Sequence, residues 1–162
     1  MGDDGAGIHV INELKKRNVS DHVDVMDGGT AGVGLVDILS SYRTAIVIDA
    51  IMDRGDSHSG IRLFSPDDLL LRKEDSDYSL HDMELTSVLR LMKALNMEIP
   101  DIKIIGIPAT TIIPGVGLSE ECGRFVHEAV DLVMTMINPP IPPFIKGGNG
   151  GLKRRDSHDC LR

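Results

Sequence analysis

Two stretches dense in Ile, Val and Ala, at residues 44–49 and 102–107, constrain this chain more than anything else in it. Runs of that kind suit strands covered on both faces, which is the habit of parallel sheets. Helical spacing lies between and around them. Ile8, Ile11 and Leu14 recur at helical intervals and are followed by Lys15-Lys16-Arg17, cations suited to a helix C-terminus. Similar patterns span residues 32–41, 79–95 and 119–137, and shorter strand patterns span 22–26 and 60–64. Alternating strands and helices predict an α/β three-layer sandwich, with a mostly parallel central sheet flanked by helices.

Acidic residues fall where those strands should end. Asp49 follows Ala45-Ile46-Val47-Ile48, and Asp27 follows the alternating Val23-Asp24-Val25-Met26 and leads into Gly28-Gly29-Thr30. Asp3 and Asp4 stand directly before the first helical pattern. Strand C-terminal ends and helix N-terminal ends share one edge of a parallel sheet, where ligands bind. Carboxylates gathered there repel one another unless a cation, a shared proton or nearby donors intervene. The pattern points to a site, and to a metal-related one.

Composition narrows the partners. The chain has 162 residues, a length suited to one domain, and carries a formal charge of −8. That charge argues against nucleic acid and anionic membrane. No apolar run approaches the length of a membrane span, and the Gly-rich acidic start is unlike a secretory signal, so a cytoplasmic location is expected. The two cysteines, Cys122 and Cys160, form neither a zinc pattern nor a disulfide framework. Cys122 falls within a helical pattern and reads as a core residue. The expected domain covers residues 1–138. Residues 139–162 hold four of the eight prolines and a run of glycines, and read as a disordered basic tail.

Four candidates carry the chemistry. His81 would sit in the first turn of a helix started by Ser79 and Asp82, a capping-box spacing. The positive helix end there favours a neutral ring able to ligate a metal, although a plain surface histidine fits the spacing too, and His9, His22, His58 and His127 compete. Asp49 either faces a ligand or caps the loop after its strand. In Asp3-Asp4-Gly5-Ala6-Gly7, both acids serve the helix start, or one caps while the other projects into the cleft. Asp27-Gly28-Gly29-Thr30 lacks the spacing of a nucleotide phosphate loop, and its glycines leave room for an extended peptide. Together Asp4, Asp49 and His81 offer two oxygen donors and an imidazole, a set that suits nickel, zinc or manganese.

Set in order, Gly2-Asp3-Asp4-Gly5-Ala6-Gly7, Asp27-Gly28-Gly29-Thr30-Ala31-Gly32, Ile46-Val47-Ile48-Asp49-Ala50-Ile51 and Leu80-His81-Asp82-Met83-Glu84-Leu85 resemble the motifs of the [NiFe]-hydrogenase maturation endopeptidases. Ile104-Ile105-Gly106-Ile107-Pro108 and Gly117-Leu118-Ser119 follow the same pattern, and the resemblance covers residues 2–137. It implies a protease that removes a C-terminal extension from the hydrogenase large subunit precursor once nickel is inserted. It assigns nickel contacts to Asp4, Asp49 and His81, and a further, catalytic role at the site to Asp27. The nickel would arrive in the substrate, with no tightly bound organic cofactor in the enzyme. Relative to that family the chain opens at the acidic pair, without the strand and turn that normally precede it, so a sheet lacking a central strand is expected. The alternative is an inactive homologue that only binds the large subunit or nickel.

Overall fold

A computed structural model describes residues 2–29, 32–52, 60–71, 80–109 and 117–138, the side chains of 80–84 excepted. The proposed tail at 139–162 lies outside the described residues. A 3₁₀ helix, Gly2–Gly5, runs into α1 (Ala6–Lys15), and then follow α2 (Gly34–Ser40), β1 (Thr44–Met52), β2 (Arg62–Phe64), α3 (Pro66–Leu70), α4 (Leu80–Ala94), β3 (Asp101–Ala109) and α5 (Glu120–Ile137).

Among the described residues the sheet has three strands in the order β1-β3-β2. β1 and β3 run parallel over nine residue pairs, from Thr44 beside Asp101 to Met52 beside Ala109. β2 joins the other side of β3 in the antiparallel sense. The α/β class with helices on both faces is as expected, and the sheet is a small mixed one.

Strand alternation sorts the core into two layers. Ala50, Ile105 and Ile107 pack with Ala6, Val10 and Leu14 of α1 and with Val126 and Val130 of α5. Val47, Ile102, Ile104 and Phe64 face the other way, toward Val36 of α2, Leu69 of α3 and Leu89 and Met92 of α4. Ile105 and Ile107 are fully buried, and truncating either to Ala costs about 2–5 kcal/mol.

Local signals set the helix ends. Ser65 accepts from the Asp68 N–H while the Asp68 carboxylate accepts from the Ser65 N–H, a full capping box with Pro66 in the first turn. α4 stops at Asn96, whose φ of 53° is left-handed. The Asn96 N–H donates to the Lys93 carbonyl and the Met97 N–H to the Met92 carbonyl, which closes the helix in a Schellman motif.

Three expectations change. Residues 22–26 are irregular and join no ladder, since only Val25 of that stretch packs on the core. β1 continues three residues past Asp49, because Ala50, Ile51 and Met52 keep their pairing with β3. The α3 helix was not expected at all.

Candidate functional site

The acidic pair at the chain's start has two different fates. Asp3 is fully buried. Its Oδ1 accepts from the Ser119 N–H at 2.7 Å and its Oδ2 from the Ser119 hydroxyl at 3.0 Å. Ser119 is the N-cap of α5, and its Oγ in turn accepts from the Cys122 N–H at 3.1 Å. Asp3 therefore ties the start of α1 to the start of α5. Neither acid caps α1 itself, whose N-cap is Gly5 with no side-chain hydrogen bond. Asp4 is part-exposed.

Gly7 seats this segment on β1. A Cβ at Gly7 would lie 2.7 Å from the Ile48 carbonyl oxygen and 3.9 Å from the Asp49 Cα. Contact that close is open only to glycine. It lays the acidic run against the stretch of β1 that carries Asp49, and the 3₁₀ helix touches β1 directly.

Asp49 is part-buried, and its Oδ1 accepts from the Ala50 N–H at 2.8 Å. By alternation its side chain shares the sheet face of Val47, the face covered by α2, α3 and α4. His81 lies in the first turn of α4, which begins at Leu80, one residue past Ser79. The His81 side chain lies outside the described residues, as does Ser79. Among the described residues no group of three or more His, Cys, Asp or Glu could hold a metal. The described geometry thus sets the Asp4 segment against β1 from the α1 side, while the Asp49 side chain belongs to the opposite face, over which α4 carries His81.

Asp27 stands apart in character. It is exposed, and its Oδ1 accepts from the Gly29 N–H at 2.8 Å in an Asx turn. Gly29 there has φ of 49°, the left-handed region that glycine enters without strain.

Cys122 is buried in the α1–α5 layer. Its thiol points to the Asp3 carbonyl oxygen at 4.0 Å. Burial, aided by the Asp3 charge and hydrogen bond, pushes the thiol up to about 12. A thiol held protonated in this way is no nucleophile.

Two features escaped the sequence reading. The Asp3–Ser119 pairing spans 116 positions and leaves no local signal. Arg62 lies beside Gly106 in the sheet, and its Nε is buried without a hydrogen-bond acceptor among the described residues.

Comparison with known proteins gives the family and the fold. A family model described as hydrogenase maturation protease matches residues 8–136. A Methanocaldococcus jannaschii protein provisionally named a hydrogenase maturation protease is 31% identical over 138 residues, 83% of this chain and 87% of that protein. The [NiFe] hydrogenase maturation protease HybD from Thermococcus kodakarensis is 27% identical, with a TM-score of 0.69 over 85% of this chain and 91% of that one. The hydrogenase maturating endopeptidase HybD from Escherichia coli shares the fold, with a TM-score of 0.71, 22% identity and 85% of each chain covered. The family match over most of the chain, with a relative 31% identical along 83% of it, makes this protein a member of the hydrogenase maturation protease family.

Proposed function

We propose that this chain removes the C-terminal extension of a [NiFe]-hydrogenase large subunit precursor after nickel insertion, in the cytoplasm, and that substrate-borne nickel is the recognition signal. Asp4, Asp49 and His81 read the nickel, and Asp27 is a further group of the cleavage site. The observation that carries the reading is the seat of Gly7 on Ile48, which holds the Asp4 segment against the strand of Asp49 in a member of a maturation protease family.

Two carboxylates and an imidazole form a donor set that takes divalent nickel, whereas a precursor without metal gains nothing from it. The difference in affinity is the checkpoint: the cleavage-ready complex is populated only when the substrate brings its ion. Substrate nickel polarises the scissile carbonyl or the attacking water, and a carboxylate serves as base. The chain's own part is to hold the donors still. The Ala50 N–H orients the Asp49 carboxylate, and the buried Asp3–Ser119 pair fixes the backbone beside Asp4.

The test is incubation of purified protein with nickel-loaded and nickel-free precursor, read by mass spectrometry. Loss of the extension from loaded precursor alone is the expected result, and Asp49→Ala should abolish it without lowering the melting temperature appreciably. Equal cleavage of both precursors, or full processing by Asp49→Ala, overturns the proposal.

A further inference from the structure

One face of the sheet changes character from one row to the next. Val47, Ile104 and Phe64 lie side by side on β1, β3 and β2, and all three pack into the apolar layer under α2, α3 and α4. Two residues further along β3, Gly106 is flanked by Asp49 on β1 and by Arg62 on β2. The side-chain period of two puts this second row on the same face as the first. An apolar row is thus followed by an acid, a gap and a base.

The gap is real and is partly closed. A Cβ at Gly106 would lie 2.8 Å from Phe64 Cε2 and 2.9 Å from two atoms of Ile51. Phe64 and Ile51 lean over the glycine and fill the space above the strand position between Asp49 and Arg62. Two strand spacings, about 9.6 Å, separate the Asp49 and Arg62 backbones. Arg62 Nε is buried and has no acceptor among the described residues, while the residue as a whole is only part-buried. Buried donors without partners are uncommon in folded proteins, and each calls for an explanation. A guanidinium is a rigid, forked cation that suits a carboxylate or a main-chain carbonyl.

We infer that Arg62 is a substrate-positioning residue, which grips an acceptor oxygen of the precursor peptide about three extended residues from the group held at Asp49. The inference rests on the proposed cleavage reaction and adds a second point of attachment to it. Asp49 meets the metal end of the segment, and Arg62 holds the chain beyond it, across the partition made by Ile51 and Phe64. With two anchors, both the register and the direction of the bound peptide are fixed. A carboxylate and a main-chain carbonyl offer the same oxygen chemistry, and substrate variants separate them.

The experiment compares wild type, Arg62→Gln and Arg62→Lys on nickel-loaded precursor. Arg62→Gln should raise KM at least tenfold and change kcat less than threefold, with no fall in melting temperature. Arg62→Lys should recover only part of the loss. If replacing the acidic residues of the precursor near its cleavage point by their amides reproduces the KM rise and makes Arg62→Gln silent, the acceptor is a carboxylate; if the amides behave as the parent, it is a carbonyl. An unchanged KM, or a lowered melting temperature with KM unaltered, makes Arg62 structural and overturns the inference. Should wild type cleave nothing, the cleavage reading fails on its own. Calorimetric titration of the protein with intact precursor then decides on Arg62, since weaker binding by Arg62→Gln supports the grip and equal binding overturns it.

Discussion

The Asp3 carboxylate accepts both the main-chain N–H and the hydroxyl of Ser119, at 2.7 and 3.0 Å, from a position with no solvent exposure. This fastening joins the first turn of the chain to the start of its last described helix. Asp3→Ala leaves two donors without an acceptor, and should cost about 2–4 kcal/mol. Chemical denaturation measures it. Asp3→Asn keeps one oxygen acceptor and should lose less than Asp3→Ala.

Cys122 gives the folded protein an alkaline sensitivity. Its thiol is pushed from 9.0 to about 12, so the folded chain keeps a proton that the unfolded chain releases above pH 9. The unfolded state then binds fewer protons, and stability falls as pH rises, by about 1.4 kcal/mol per pH unit in the window from 9 to 12. Below pH 9 this contribution is fully present and flat. Urea unfolding of wild type and Cys122→Ala from pH 7 to 11 should show the extra slope in wild type alone.

Gly7→Ala sets a methyl group 2.7 Å from the Ile48 carbonyl oxygen, against backbone that cannot turn aside. α1 must lift from β1, at a cost of about 1–3 kcal/mol. Since the Asp4 segment moves with α1, precursor cleavage should fall more steeply than the loss of folded protein accounts for. Circular dichroism melts and cleavage assays on the same sample separate the two effects.

Asp27 is exposed and, among the described residues, accepts one hydrogen bond, from the Gly29 N–H. Asp27→Asn keeps that bond and removes the charge, while Asp27→Ala removes both. Each should cost less than about 1 kcal/mol of stability. If Asp27 serves the cleavage site through its charge, both variants lose activity alike. If it only shapes the turn, Asp27→Asn cleaves normally.

The buried strands were legible because Ile46, Val47, Ile48, Ile104, Ile105 and Ile107 leave a sheet covered on both faces as the economical arrangement. α5 was legible from its apolar spacing and from Ser119 ahead of it. The alternation of Val23-Asp24-Val25-Met26 misled, because period two records which side chains turn inward and not whether a neighbour supplies a ladder. β1 runs past Asp49 because one acid in an apolar run does not break backbone pairing, and Ala50-Ile51-Met52 hold the register. The Ser65-Pro66-Asp67-Asp68 cap was readable, but the helix it starts spans only five residues and is too short to show a period. Which of two adjacent acids goes inside depends on a serine far along the chain, and no window of sequence contains both.

For mutagenesis, the neighbouring acids Asp3 and Asp4 are a trap. A dead Asp3 variant would report a hinge pin pulled from the scaffold, and a dead Asp4 variant, on the proposed nickel reading, a tool taken from the bench. An alanine scan scored only by activity would credit both with the same job.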